Sequence, residues 1–147
     1  MELLSTLLVV EDNPAQQIVA RALAERYGYA AYFVSTGEDA IEVFKTSEIA
    51  FDAILMDLNM PRMSGLECTR RIRELEAATS KRVPIVGFSA YTSDEGRQTC
   101  INAGMDDYLS KPFEIDEFRR MLLKWTYNAA KPNLRILPQR NSDIASA

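Results

Sequence analysis

Phe51-Asp52-Ala53-Ile54-Leu55-Met56-Asp57-Leu58-Asn59-Met60-Pro61-Arg62-Met63-Ser64-Gly65 is the stretch that decides the fold. Residues 51–56 read as a strand running into Asp57, and the unbroken apolar run over 53–56 is the pattern of a strand buried on both faces of a parallel sheet. An acid, Asp57, stands where the strand stops. Pro61 and Gly65 then bracket a loop, and from 66 to about 77 a helix follows, with Leu66, Ile72 and Leu75 inward and arginines outward. A doubly buried strand leading through a short loop into an amphipathic helix is one step of a β-α alternation.

The same step repeats on either side. Upstream, Thr6-Leu7-Leu8-Val9-Val10 is a second continuous apolar run and ends in Glu11-Asp12-Asn13-Pro14. Asn13 can cap a helix there, and Pro14 suits its first turn. Ile18, Ala22 and Ala24 to Tyr27 supply that helix's inward stripe, and Gly28 stops it. Residues 30–34 read as a strand, and Ser35-Thr36-Gly37-Glu38 opens a helix with Ala40, Ile41, Val43 and Phe44 inward. Downstream, 83–88 is a strand with Pro84 near its start, where a missing N–H is tolerable. A helix from about 93 to 103 stops at Gly104, a short strand covers 107–109, and a last helix over 114–127 turns Ile115, Phe118, Leu122 and Trp125 to one face. The strict alternation predicts an α/β domain over 1–127, a five-stranded parallel sheet with helices on both faces. Residues 128–147 are polar, proline-punctuated and aperiodic, and read as a flexible C-terminal tail.

Composition narrows the function. The chain has 147 residues, 47% apolar and 26% charged, which suits one globular domain with a real core. Its net charge of -4 argues against a nucleic-acid backbone as direct partner. No apolar run is long enough to cross a bilayer, and Met1–Thr6 lacks the pattern of a signal peptide, so the expected location is cytoplasmic. Cys68 and Cys100 have neither metal-ligand nor disulfide-framework spacing and read as reduced thiols. There is no histidine, which removes histidine acid/base catalysis, most zinc sites and phosphohistidine chemistry. If a phosphoryl group arrives here, another molecule must bring it.

In an open parallel sheet, sites form past the carboxyl ends of the strands. Glu11 and Asp12 follow the first strand, Asp57 the third, Ser89 the fourth, and Ser110-Lys111-Pro112 the fifth. Three carboxylates at one edge repel one another unless a cation neutralises them. With oxygen ligands alone the cation is hard, and Mg²⁺ fits best. A carboxylate can act as a nucleophile toward phosphorus, Lys111 adds positive charge, and Ser89 Oγ can donate to a phosphoryl oxygen.

The runs Val9-Val10-Glu11-Asp12-Asn13, Ile54 to Gly65, Phe88-Ser89-Ala90 and Tyr108-Leu109-Ser110-Lys111-Pro112-Phe113 resemble, in order and spacing, the CheY-like response-regulator receiver domains of two-component and phosphorelay signalling. The resemblance covers about residues 5 to 127, and the Met56 to Gly65 run is similar to receivers paired with hybrid histidine kinases. It implies the flavodoxin-like strand order 2-1-3-4-5. It implies that Asp57 is the phospho-acceptor and that Mg²⁺ is bound by Asp12, Asp57 and the Asn59 main-chain carbonyl, with Glu11 acting through a water. Ser89, Lys111 and the Ala90 amide would hold the phosphoryl group, Tyr108 would swing inward as an aromatic switch, and the Lys111–Pro112 bond would be cis. The implied donor is a histidine kinase or phosphotransfer protein. The output is a downstream protein, read by the face of the fourth helix, fifth strand and fifth helix, with no nucleic acid or membrane engaged directly. Ser89 stands where Thr is common and Glu11 where Asp is frequent; both keep the chemistry. Tyr91, two residues past the hydroxyl, is expected to restrict water and lengthen the aspartyl-phosphate lifetime, so Tyr91→Ala should shorten it.

Each residue has a plainer role beside the functional one. Asp57 alone could cap a turn, Ser89 could be a turn hydroxyl, Lys111 a solvated lysine and Tyr108 simply core. Their shared edge is what favours function. Arg62, Arg70, Arg71 and Arg73 read as a solvated helix face, and Met60 and Met63 as exposed thioethers suited to a kinase contact. Two other functions compete. A haloacid-dehalogenase-type aspartyl phosphatase would need an acid two residues past the nucleophile, where this chain has Asn59. A flavodoxin-like cofactor binder would need a Ser/Thr/Gly phosphate loop after the first strand, where this chain has two acids. The chain is therefore read as a signalling phospho-acceptor that assists only its own phosphorylation and dephosphorylation.

Overall fold

The computed structural model describes residues 5–89 and 94–126. The elements alternate as β1 (Thr6–Val10), α1 (Pro14–Arg26), β2 (Ala30–Val34), α2 (Gly37–Thr46), β3 (Ala53–Asp57), α3 (Gly65–Glu76), β4 (Ile85–Ser89), α4 (Asp94–Ala103), β5 (Asp107–Ser110) and α5 (Ile115–Thr126). All strand pairs are parallel, in the order β2-β1-β3-β4-β5. The expected order and strand count are thus observed. β3 and β4 are buried along their whole length, as their unbroken apolar runs require.

The sheet divides two cores. On one side Leu7, Val9, Leu55, Val86 and Leu109 pack with Leu23, Tyr27, Phe118 and Leu122 of α1 and α5. On the other, Leu8, Val10, Ile54, Met56 and Ile85 pack with Ala40, Ile72 and Cys100 of α2, α3 and α4. Alternate residues of each strand feed opposite cores, which is the period-two geometry of a strand. No helix among the described residues is long and apolar enough to cross a membrane.

Side-chain caps set the helix starts. Asn13 Oδ1 accepts from the N–H groups of Ala15 and Gln16, Thr36 Oγ1 from that of Asp39, and Ser64 Oγ from that of Glu67. Several inward assignments need correction. Ile18 is 69% exposed and Ala22 is also outside; α1 instead turns Ala20, Leu23, Ala24 and Tyr27 inward. Ile115 is exposed at the first turn of α5, while Phe118, Met121 and Leu122 are buried. In α3, Cys68, Thr69 and Ile72 are buried where Leu66 and Leu75 are only partly so.

Arg73 is not a solvated arginine. It donates to Glu76, Asp106, the Val83 carbonyl and the Gly104 carbonyl at 2.6 to 2.9 Å. Glu76 also accepts from the N–H of Val83, and Asp106 from that of Ile85. These side chains take up the N–H groups before the strand, and Pro84 has none to give, so β4 starts at Ile85 instead of Val83. Met60 is buried, and Met63 packs against Gly37 and the second core, so neither is the exposed thioether the sequence suggests. Both cysteines are free and buried, and burial pushes the Cys68 thiol up to about 12. Ala90, Tyr91 and the tail 128–147 lie outside the described residues.

Candidate functional site

Parallel register fixes which side chains meet. Val10 pairs with Met56, Asp57 with Phe88, and Ser89 with Ser110, so four strands end at one level. Glu11 and Asp12 follow β1, Asp57 closes β3, Ser89 closes β4, and Lys111 follows β5. Carboxylate oxygens of Glu11, Asp12 and Asp57 all lie within 4.8 Å of one another. Lys111 Nζ lies 3.2 Å from Glu11 Oε1 and 3.8 Å from Asp57 Oδ1. Glu11, Asp12, Asp57 and Lys111 are thus brought together at one sheet edge, with Ser89 at the neighbouring strand end. Glu11 and Asp57 are each 5% exposed, while Asp12 is half-buried at the mouth.

The backbone around the acids is held by short-range bonds. The Asn13 N–H donates to Glu11 Oε2 at 3.2 Å, and the Asn59 N–H to Asp57 Oδ1 at 3.1 Å. Asn59 Nδ2 lies 3.4 Å from Ser89 Oγ, which ties the acceptor loop to β4. Leu58 N–H donates to the Phe88 carbonyl and Gly65 N–H to the Leu58 carbonyl, folding the loop back over the strand end. A Cβ at Gly65 would stand 2.3 Å from the Asp57 carbonyl oxygen, so only glycine allows α3 to start this close to β3. The loop turns at Arg62, whose φ is 67°, with the Met63 N–H donating to the Pro61 carbonyl. The Lys111–Pro112 peptide is cis, as expected.

Electrostatics mark the cluster as short of positive charge. Burial raises the Glu11 carboxyl to about 7, against the opposing hydrogen bond from Asn13; the Asp57 charge raises it further, and Lys111 only partly offsets this. One ammonium thus faces three acids. The metal-ligating groups that meet there are carboxylate oxygens, the set that suits a hard divalent cation.

Two site-edge residues were not found by sequence reasoning. Gln16 Oε1 accepts a hydrogen bond from Lys111 Nζ, and Gln17 Nε2 donates to the Glu11 carbonyl at 2.5 Å and to Ser35 Oγ at 3.2 Å. Polar residues in a helix's first turn give no local sign of a partner 95 positions away. Tyr108 is buried among the α2–α4 side core, with Arg97 over its ring at 5.6 Å, and its hydroxyl is buried without a hydrogen-bond partner among the described residues.

Comparison with known proteins identifies the family. The model of the response regulator receiver domain matches residues 7–123. This chain belongs to that family.

Among curated relatives, the receiver is 36% identical over 121 residues to the sensor protein GacS of Pseudomonas syringae pv. syringae, covering 82% of this chain but 13% of that protein. Among solved structures, it is similar to the receiver domain of sensor histidine kinase PA1611 from Pseudomonas aeruginosa PAO1, which holds a magnesium ion in its active site cleft. That match has 37% identity and a TM-score of 0.74, covering 86% of this chain and all, 100%, of the other. It also resembles the Saccharomyces cerevisiae Ssk1 receiver domain solved with the histidine phosphotransfer protein Ypd1, at 26% identity and a TM-score of 0.77 over 84% of this chain and 89% of that one. The receiver spans a small fraction of the curated relative's length.

Proposed function

We propose that this receiver takes a phosphoryl group onto Asp57 from a phosphohistidine of a kinase or phosphotransfer protein, in a Mg²⁺-dependent step, and passes on a change of partner binding. The observation that supports this reading is the meeting of Glu11, Asp12 and Asp57 within 4.8 Å, with Lys111 Nζ 3.8 Å from Asp57. Asp12, Asp57 and the Asn59 main-chain carbonyl would hold Mg²⁺, with Glu11 beside them, and the ion would supply positive charge for an anionic phosphoryl group approaching three acids.

An Asp57 carboxylate oxygen attacks phosphorus as the donor's P–N bond breaks, and the electron pair of that bond returns to the imidazole. Lys111 offers an ammonium to the charge developing on the phosphoryl oxygens. Ser89 Oγ, on the neighbouring strand end, donates to the same group once it arrives. Two residues past the nucleophile stands Asn59, whose amide nitrogen lies 3.4 Å from Ser89 Oγ and which cannot carry a proton. Phosphatase chemistry of the haloacid-dehalogenase kind therefore lacks the acid it needs at that position.

Donor docking fits the mouth beside α1. Ile18 and Val19 are 69% and 54% exposed, and Val19 borders a groove of about 500 Å³ lined also by Gln16, Lys111, Pro112 and Phe113. An exposed apolar pair next to the acceptor suits an apolar helix face carrying the phosphohistidine. On the output side, Ser89 and Tyr108 couple the site to the face of α4, β5 and α5.

The test is transfer from a phosphorylated histidine phosphotransfer protein, followed by loss of label from the donor. Wild type should accept the group, Asp57→Asn should not, and Ile18→Asp should slow the protein donor relative to acetyl phosphate. Transfer to Asp57→Asn at the wild-type rate would place the acceptor elsewhere.

A further inference from the structure

We propose that Gln16 is a positioning residue for phosphoryl transfer, acting through Lys111. The inference rests on the reading of Asp57 as acceptor and extends it to a residue outside the acid cluster. Pro14 opens α1, and Asn13 Oδ1 takes the N–H groups of Ala15 and Gln16 at 2.9 and 3.2 Å, so the first turn is fixed where it faces the β5–α5 connection. Gln16 and Gln17 then do different things. Gln17 ties the turn to Glu11 and Ser35, whereas Gln16 reaches across to accept from Lys111 Nζ.

Donor arithmetic says what that contact does. An ammonium has three N–H groups and no acceptor. Glu11 Oε1 takes one at 3.2 Å and Gln16 Oε1 takes a second. Asp57 Oδ1 at 3.8 Å is beyond hydrogen-bond reach, so among the described residues the third N–H is not spent on the acceptor. A phosphoryl oxygen arriving on Asp57 would be its acceptor. Lysine is a point charge on a flexible stem, and a single carboxylate partner would leave its head free to swivel about Glu11. The second anchor removes that freedom. An amide oxygen suits the task because it orients the ammonium without adding a fourth negative charge to the cluster. Gln16 touches neither Asp57 nor the place of the phosphoryl group, so its effect must pass through Lys111.

A double-mutant cycle tests this. The rate of phosphorylation by acetyl phosphate with Mg²⁺ is read by intact mass in wild type, Gln16→Met, Lys111→Ala and the double variant. Urea unfolding checks that each is folded. Met keeps the length and apolar stem of Gln but lacks the amide oxygen. Gln16→Met is expected to slow phosphorylation roughly tenfold in the wild-type background, and to do nothing further when Lys111 is already Ala. Equal slowing in both backgrounds would assign Gln16 a structural role and overturn the proposal, as would an unchanged rate in Gln16→Met alone. A folded wild type that takes no phosphoryl group would overturn the Asp57 reading itself, a result distinct from either.

Discussion

Glu11 carries the clearest titration signature of the site. Its carboxyl is at about 7 in the folded chain against the ordinary 4.5, chiefly through burial. Between those values the folded chain keeps a proton that the unfolded chain has released. The stability this confers is full below pH 4.5 and is lost as pH rises to 7. In EDTA the urea midpoint should therefore fall across that window, and Mg²⁺ should restore it at pH 7.5; a midpoint that rises with pH would contradict this. Arg73 gives a second prediction at this scale. Its side chain is 14% exposed and holds Glu76 and Asp106 at 2.6 and 2.8 Å, so Arg73→Met leaves two mostly buried acids short of charge. The expected cost is about 3 kcal/mol by urea unfolding. Asp57, Glu11, Asp12, Ser89 and Lys111 were legible in the sequence because each directly follows or ends an apolar strand. Arg73 and Gln16 were not, because what defines them is a partner from a distant part of the chain.

Elements differed in how far local pattern could place them. The strands were legible because burial on both faces leaves an unbroken apolar run, and their bounds were right to within two residues at most, β3 starting at Ala53 where the reading began at Phe51, and β4 losing its start to Pro84 and the Glu76 and Asp106 carboxylates. Helix faces were harder. α1 carries Ile18, Val19, Ala20, Ala22, Leu23 and Ala24 almost all the way round, so periodicity alone cannot choose the inward stripe. Packing against β1, β2 and α5 chooses Ala20, Leu23, Ala24 and Tyr27, and leaves Ile18 and Val19 outside. At the junction of β3 and α3, Gly65→Ala would drive a methyl group into the Asp57 carbonyl, a backbone atom that cannot step aside. It should cost about 3 kcal/mol or more by urea unfolding, and a variant of wild-type stability would show that the loop over Asp57 can relax. On β5, the Tyr108 hydroxyl is buried without a partner among the described residues. Tyr108→Phe should leave the unphosphorylated chain as stable or about 1 kcal/mol more so; a loss above that size would mean the hydroxyl is paired in solution.

At the scale of the whole molecule, one sheet separates two cores, and its parallel register brings four strand ends to a single edge. The topology explains why residues as far apart as Glu11, Asp57 and Lys111 share one pocket of charge. It also sets β5 beside β4, so Ser89 at the end of β4 pairs with Ser110 of β5. The most direct test of the central claim is intact mass after incubation with acetyl phosphate, with and without Mg²⁺, for wild type and Asp57→Asn. The account predicts one phosphoryl adduct in wild type with Mg²⁺, and none without the metal or in the variant. A folded wild type that gains no adduct, or an Asp57→Asn chain that gains one, would contradict it.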